Sequence, residues 1–185
     1  RNKREENAKI KAGETPEQWN EQPNKLRQKD LDARWTKKNN ENYYGYKNHI
    51  KADETSKLIT GYVVTDASVH DSQPMPAMLD ATDEGQNLYA DSAYTGEDYQ
   101  KELVENKKVI LQICEKGYKN KPLTEGQKLN NHSKSKIRVR VEHIFGFIEN
   151  SMNGSTINTI GITRATAVIG LMNLTYNMFR ALQIS

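Results

Sequence analysis

Hydrophobic and polar residues are distributed unevenly along the 185-residue chain. The first forty residues alternate charged side chains with Asn, Gln and Pro and contain few apolar ones, which is typical of a solvated segment. Only residues 15–21, TPEQWNE, carry a signal for a short helix there. From Tyr43 onward, apolar residues recur with the periods of strands and helices. The pattern predicts a polar linker or insertion over residues 1–40 and a folded core over residues 41–185.

Alternating and continuous apolar runs predict four strands in this core. YYGYKNHIKAD and KLITGYVVTDAS form an antiparallel hairpin whose turn lies at residues 53–56. The later runs NLYA and KVILQIC are short and apolar, as buried strands are. Because a helix-like segment separates these two runs, they are expected to form a parallel β-α-β unit.

Helical patterns fill most of the remaining core. A short helix is predicted at AMLDAT, and a longer one at TGEDYQKELVENK, with Thr95 as its candidate N-cap. Residues 115–131 are expected to form a Lys- and Gly-rich loop. A helix over residues 133–152 follows, with an apolar stripe, and a second long helix ends the sequence. The stripe consists of Val141, Phe145, Ile148 and Met152. Together the elements predict an α/β fold with a mixed sheet flanked by helices.

Composition narrows the function classes only slightly. The net charge is +3, with a calculated pI near 8.8, which suits nucleic acid without requiring it. Cys114 is the single cysteine, which excludes an intrachain disulfide and a cysteine-based zinc site. No segment has the apolar length of a membrane span and no signal peptide is visible, so a cytoplasmic location is expected.

Asp91 is the first candidate for chemistry. It follows the apolar strand residues of NLYA and precedes a predicted helix. Ligand-binding residues of open α/β sheets gather just beyond strand ends, and carboxylates there can hold the divalent metals that assist phosphoryl transfer. A turn or helix-capping aspartate is the simpler alternative, and the local sequence leaves both interpretations open.

Glu142 is the second candidate, together with Arg138 one helical turn before it. The glutamate could hold a metal ion while the arginine contacts DNA phosphate. An ordinary exposed Arg–Glu pair, which stabilises a helix by a few tenths of a kcal/mol, is the alternative. The basic residues leading into this helix include Lys134, Lys136 and Arg140. They suit phosphate contacts or, equally, a solvated loop.

Three strings, taken in order, resemble transposases of the insertion sequence 5 group: the hairpin sequence, LYADSAYTG and RVRVEHIFGFIEN. The resemblance covers the chain from about Asp30 onward. It implies an RNase H-like fold and DDE-class chemistry with Mg²⁺ or Mn²⁺. By the family motifs, Asp91 is the second and Glu142 the third metal-binding acid, and Arg138 precedes the latter. The family also places a tyrosine and a lysine where this chain has Ser135 and Glu149, which puts contacts to DNA ends in doubt.

The resemblance also implies a first catalytic aspartate that the sequence does not supply at the end of an apolar first strand. Asp30 and Asp32 do not follow such a strand, and Asp66 follows what corresponds to the third strand of the fold. The first strand and its aspartate are therefore expected before residue 1, and the chain alone is expected to be inactive or nearly so.

The function expected from this resemblance is metal-dependent cleavage and strand transfer at transposon ends. Its partners would be double-stranded DNA, at transposon ends and target, and further copies of the chain, in the bacterial nucleoid. Two alternatives remain at this stage: a DNA-binding regulatory remnant without metal chemistry, and an RNase H-like nuclease without joining activity.

Overall fold

The computed structural model describes residues 1–38, 40–90 and 96–185, with the backbone alone at residues 97–99. The strands described are β1 (Arg34–Lys38), β2 (Glu41–Ala52), β3 (Ile59–Asp66), β4 (Asn87–Ala90) and β5 (Ile110–Ile113). The helices described are α1 (Arg4–Lys11), α2 (Glu17–Asn20), α3 (Pro23–Leu26), α4 (Met75–Met78), α5 (Glu97–Glu105), α6 (Glu125–Met152) and α7 (Ile162–Ile184), with a 3₁₀ turn at Ala81–Asp83. The predicted mixed α/β fold is confirmed, and the predicted core elements occur in the predicted order. The single short helix predicted at AMLDAT is replaced by α4, which starts two residues earlier, and the 3₁₀ turn, because Leu79 between them is extended.

The predicted hairpin is β2 and β3, which pair antiparallel from Tyr46 opposite Asp66 to Ala52 opposite Ile59. Its turn begins at Asp53, whose carboxylate accepts hydrogen bonds from the backbone N–H groups of Thr55 and Ser56. Such side-chain to backbone bonds are the reason why Asp favours turns. β1 pairs with the first residues of β2, giving the sheet order β1-β2-β3.

One face of the hairpin packs against α6 and α7. Ile59 of β3 lies in a buried cluster with Ile144, Ile148 and Tyr176. Asn177 of α7 satisfies both backbone groups of Ile59, donating to its carbonyl and accepting from its N–H at 2.8 Å each. Apolar burial and paired amides therefore hold the two long helices on this face.

The opposite face of the hairpin is covered by the segment containing α4 and the 3₁₀ turn. Lys51 of β2 forms ion pairs there with Asp80 and Asp83, at 3.2 and 2.7 Å. Ile50, the neighbour of Lys51, packs instead against the cluster beneath α6 and α7. Because successive strand side chains point to opposite faces, the two coverings lie on opposite sides of the sheet.

β4 and β5 form a separate two-stranded parallel sheet connected through α5. Leu103 of α5 is fully buried in a second core cluster with residues of both strands and of α4. The N-cap of α5 is Gly96 and carries no side-chain cap bond. The prediction of Thr95 at this position is therefore wrong, because the helix starts one residue later; Thr95 itself lies outside the described residues.

Helix α6 begins earlier than the sequence pattern predicts. The loop expected over residues 115–131 ends at Thr124. The Thr124 hydroxyl accepts a hydrogen bond from the backbone N–H of Gln127, and the Gln127 side-chain oxygen accepts one from the backbone N–H of Thr124. This capping box starts the helix eight residues before Ser133. The predicted stripe is also partly wrong, since Ile144 is fully buried and Phe145 is 37 % exposed.

The first forty residues contain more structure than their composition predicted. Only the short helix α2 was expected there. Trp19 of α2 is fully buried, beneath the ammonium of Lys29, and donates to Glu6 of α1. The carboxylates of Asp30 and Asp32 then accept from the backbone N–H groups of Gly161 and Ile162 at the start of α7. These contacts tie the segment to the core, while the proposed division of the chain near residue 40 remains a prediction.

Across the described ranges, no helix has both the length and the hydrophobicity needed to cross a membrane.

Candidate active site

The central part of α6 presents Lys134, Arg138 and Glu142 on one face, since these residues follow one another at intervals of four. The ammonium of Lys134 donates to the carbonyl of Ile113, at the end of β5, over 3.0 Å. Ile113 pairs in register with Ala90, the last residue of β4. This face of α6 therefore begins at the level where both parallel strands end.

Glu142 lies two turns further along this face and carries an accessible carboxylate. Its side chain is 60 % exposed, and one oxygen accepts from the Arg138 guanidinium at 3.2 Å. An exposed pair of this kind contributes about 0.3–0.5 kcal/mol within a helix. A pair this weak is easily exchanged for contacts of each group with a metal ion or a phosphate.

Asp91, the other predicted metal ligand, lies outside the described residues. The strand that precedes it is described up to Ala90, which is buried. Leu88 and Tyr89 of this strand line the same cleft as Arg138 of α6. The described residues of β4 thus border the helix that carries Glu142.

The donor set described so far fits a divalent cation only in part. Mg²⁺ takes oxygen ligands and typically uses one or two carboxylates, so an exposed glutamate is a suitable ligand. Within residues 1–38, 40–90 and 96–185, however, no group of three or more His, Cys, Asp or Glu side chains converges on one point. Glu142 is therefore the one proposed ligand whose position is known.

The aspartates considered for the first catalytic position have other partners. Asp30 accepts from the Tyr46 hydroxyl as well as from Gly161, and burial together with this bond raises the pKa of Tyr46. Asp32 bonds to the first residue of α7, and Asp66 accepts from the N–H and hydroxyl of Ser68. Each of these carboxylates accepts a hydrogen bond from a backbone N–H group, which is a structural role.

The predicted DNA-binding residues occupy different environments on α6. Lys134 is tied to the end of β5, as described above. Arg140 lines the cleft. Hydrogen bonds from Ser56 hold the pKa of Asp53 below its usual range, and the charge of Arg140 acts more weakly in the same direction. Lys136 is exposed. The structure therefore spreads these cations along about two turns of helix rather than in a loop.

The sequence did not indicate two features of the site. The anchoring of Lys134 to β5 joins residues 21 positions apart, and no local signal marks such a contact. The cleft of about 540 Å³ between β2, β4 and α6 depends on how the two sheets are arranged. The spacing of Lys134, Arg138 and Glu142 was the one visible signal, because it predicts a shared helix face.

Comparisons with known proteins identify the family of the chain. The family model of the transposase DDE domain matches residues 10–178. The transposase for insertion sequence element IS1106 of Neisseria meningitidis serogroup B is 33 % identical over 158 residues. That alignment covers 83 % of this chain and 52 % of the relative, so the chain spans about half the length of this curated relative. No solved structure matches the chain.

Proposed function

The chain belongs to the DDE transposase family, and we propose that it supplies the second and third metal-binding acids of a transposase that cleaves and joins DNA at transposon ends. The observation that carries this proposal is the α6 face, where the exposed Glu142 follows Lys134, which is bonded to the end of β5, and Arg138, which pairs with Glu142. Asp91 directly follows one of those strands. A catalytic acid at a strand end and another on a neighbouring helix are well suited to sharing one ion.

Each residue has a distinct role in this proposal. Asp91 and Glu142 would hold Mg²⁺ or Mn²⁺, and such an ion supplies activation of the attacking oxygen and stabilisation of the leaving oxygen. Arg138 would exchange its bond to Glu142 for one to a DNA phosphate. Arg140, Lys134 and Lys136 would add charge that attracts and positions the duplex.

The partners follow from this chemistry. Double-stranded DNA is the substrate, both at the transposon ends and at the target, and the protein acts in the bacterial nucleoid. Pairing of two ends favours a homo-oligomer, because each copy would hold one end. The phosphate contacts make binding depend strongly on salt.

By itself, the chain is proposed to lack cleavage and joining activity. The aspartates weighed for the first catalytic position are committed to backbone hydrogen bonds, and losing one acid of a metal site typically weakens chemistry by orders of magnitude. We expect no cleaved or joined product from the 185-residue chain on DNA that carries the ends of its own element, with Mg²⁺. Product formation by this chain alone would contradict the proposal of inactivity.

Calorimetric titration with Mn²⁺ tests whether the two acids share an ion. Asp91→Asn and Glu142→Gln should each weaken binding by roughly tenfold or more, and the double variant should lose little more than the weaker-binding single variant. Glu149→Gln, a charge-matched change on the same helix, should leave the affinity unchanged. Equal heats from the unmodified chain and both single variants would contradict a shared ion.

A regulatory DNA-binding protein without metal chemistry is the second candidate. It is favoured by the lack of an acidic cluster in the described part of the chain and by the pairing of Glu142 with Arg138. Such a protein would bind DNA with the same salt dependence but give no Mn²⁺ heat that depends on Asp91 or Glu142.

A further inference from the structure

Helix α7 carries a long apolar stripe on the side that faces away from the core. The residues that are buried on this helix are Ala165, Ile169, Asn173 and Tyr176. Because an α-helix has 3.6 residues per turn, a second set at spacings of three and four forms the opposite side. This set, called the α7 seam, consists of exposed residues only: Ala167, Leu171, Leu174, Met178 and Leu182.

The α7 seam is large for an exposed apolar surface. Leu171 and Leu174 are 64 % and 56 % exposed, and Met178 and Leu182 are 61 % and 78 % exposed. With Phe179 beside them, these side chains offer on the order of 500 Å² of apolar surface, at roughly 150 Å² for a fully exposed large side chain. Apolar patches larger than roughly a few hundred Å² usually mark a surface that binds a partner.

The seam is also uncharged. Between Arg164 and Arg180, the sequence of α7 contains no charged residue. Arg180 turns toward the hairpin, where its guanidinium donates to the carbonyl of Ser56 at 2.7 Å. A surface helix normally carries charged side chains on its solvent side, and charge is depleted at the centre of interfaces. The α7 seam therefore has the composition of an interface.

Thr175, at the centre of this side of α7, does not depend on water for its hydrogen bond. Its hydroxyl donates to the carbonyl of Leu171 within the same helix, at 2.8 Å. Covering an unpaired hydroxyl with an apolar surface is unfavourable, whereas a hydroxyl bonded to its own helix is already satisfied. The centre of the seam is therefore suited to contact with a dry, apolar surface.

Spacings of three and four along a helix allow two helices to pack side by side. We propose that a second copy of this chain covers the α7 seam, with the two α7 helices antiparallel about a two-fold axis between Leu174 and Thr175. The inference rests on the proposed function only in that it gives the expected homo-oligomer a surface. Two seams together bury about 1,000 Å², which reaches the lower limit for a specific interface.

The seam is complementary to itself in the antiparallel orientation. The axis places Leu171 opposite Met178 of the second copy, and the small Ala167 opposite Leu182, whose side chain is 78 % exposed. A small residue opposite a large one fills the space between two packed helices. This orientation also keeps the two Arg164 side chains about 30 Å apart, whereas parallel helices would bring them together. Since a two-fold contact uses the same patch twice, self-complementarity favours a second copy as the partner.

Sedimentation of the 185-residue chain, without DNA or metal, tests the proposal. We expect a monomer–dimer equilibrium with a Kd in about the micromolar range, as suits an interface near the lower size limit. Leu174→Glu should weaken dimerisation by roughly a hundredfold or more, because it places two like charges at the axis. A chain that stays monomeric at about 100 µM would overturn the proposal.

A leucine elsewhere provides the matched control. Leu129 of α6 is 70 % exposed and does not belong to the seam. Leu129→Glu introduces the same charge on a helix surface and should change the Kd by less than about twofold. Equal effects of Leu129→Glu and Leu174→Glu would contradict the assigned surface.

Paired charges test the antiparallel orientation. Leu171→Glu and Met178→Lys should each weaken the dimer. A chain with both changes should dimerise roughly tenfold more tightly than either single variant, because each introduced carboxylate then faces an introduced ammonium of the second copy. In parallel helices like charges would face each other. A double variant that dimerises no better than the single variants would therefore overturn the proposed arrangement.

Cross-linking keeps the test decisive if Leu174→Glu fails to fold. In a Cys114→Ser background, a short thiol-specific cross-linker should join two copies of Leu174→Cys and leave Leu129→Cys unjoined. Joining of both variants or of neither would overturn the proposal. A monomeric chain whose Mn²⁺ binding still depends on Asp91 and Glu142 would contradict this inference alone. A dimer without that dependence would contradict the proposed metal site alone.

Discussion

The hairpin of β2 and β3 packs against α7 and the end of α6 through buried side chains, whereas β4 and β5 meet α6 where that helix is charged and half exposed. In the first region, Ile144 is completely buried, and the Asn177 side chain satisfies the backbone N–H and C=O groups of Ile59. In the second, the Arg138–Glu142 pair remains open to solvent. Helix α6 thus packs against the core through its last turns and presents charged side chains along its middle turns. Substitutions in the two regions should therefore separate stability from DNA and metal binding.

The largest effect is expected from the anchoring end of α6. Ile144→Ala removes buried methyl groups from the cluster beneath the hairpin and should lower the free energy of unfolding by about 2–5 kcal/mol. Leu129→Ala on the same helix, where the side chain is 70 % exposed, should change it by less than about 0.5 kcal/mol. Urea denaturation measures both. Similar losses for the two variants would show that the apolar end of α6 is not the anchor.

A smaller loss is expected from the amide that joins α7 to β3. Asn177→Ala leaves both backbone groups of Ile59 without their partner and should cost about 1–3 kcal/mol. Thr175→Ala, which removes only a bond within the exposed side of α7, is the control. Urea midpoints that shift equally would argue against a special role for Asn177.

Lowering the pH should reduce the folding stability through His49 of the same hairpin. Burial lowers the pKa of this histidine, with Lys47 acting in the same direction and Asp71 opposing. The unfolded chain then binds a proton near pH 6.5 while the folded chain does not, so stability falls as the pH drops below about 6.5. The loss is about 1.4 kcal/mol for each unit by which the pKa is lowered, down to the folded-state pKa.

His49→Gln should remove part of this acid sensitivity, which thermal unfolding between about pH 5 and pH 8 measures. Glutamine can still bond to Thr65, the present partner of the histidine ring at 2.8 Å. His132→Gln, at an exposed position of α6, should leave the pH profile unchanged. An unchanged profile in the His49 variant would show that another group titrates.

The smallest free-energy change is expected on the charged face. Arg138→Gln should weaken binding to duplex DNA a few-fold and reduce the slope of log affinity against log salt by about 0.9, the value for one phosphate contact. Arg164→Gln, which removes an exposed charge at the start of α7, should reduce the slope less. Fluorescence anisotropy at several salt concentrations measures both slopes. Equal slopes for the two variants would show that Arg138 does not contact a DNA phosphate.

The comparison also shows which parts of the fold the sequence made predictable. The hairpin, β4, β5 and α7 follow from alternating or continuous apolar runs, which the sequence shows directly. The early start of α6 depends on the Thr124 and Gln127 capping box, which lies within a polar stretch that reads as a loop. The burial of Trp19 depends on contacts with Glu6 and Lys29, which are set by packing rather than by local pattern.

The candidate site was predictable to a similar extent. Spacing alone placed Arg138 and Glu142 on one helix face, as the structure confirms. The tie between Lys134 and β5 needed the tertiary structure. The meeting of Asp91 with Glu142 remains a prediction, because Asp91 lies outside the described residues.

Affinity cleavage by a bound metal ion tests that meeting most directly. Fe²⁺ replaces Mg²⁺ in oxygen-ligand sites, and with ascorbate and peroxide it cuts the backbone next to its ligands. The account predicts cuts near residue 91 and near residue 142 in the same sample, with both lost in Glu142→Gln and both retained in Glu149→Gln. Cuts at one position only, or cuts at both that persist in Glu142→Gln, would contradict a cation shared by Asp91 and Glu142.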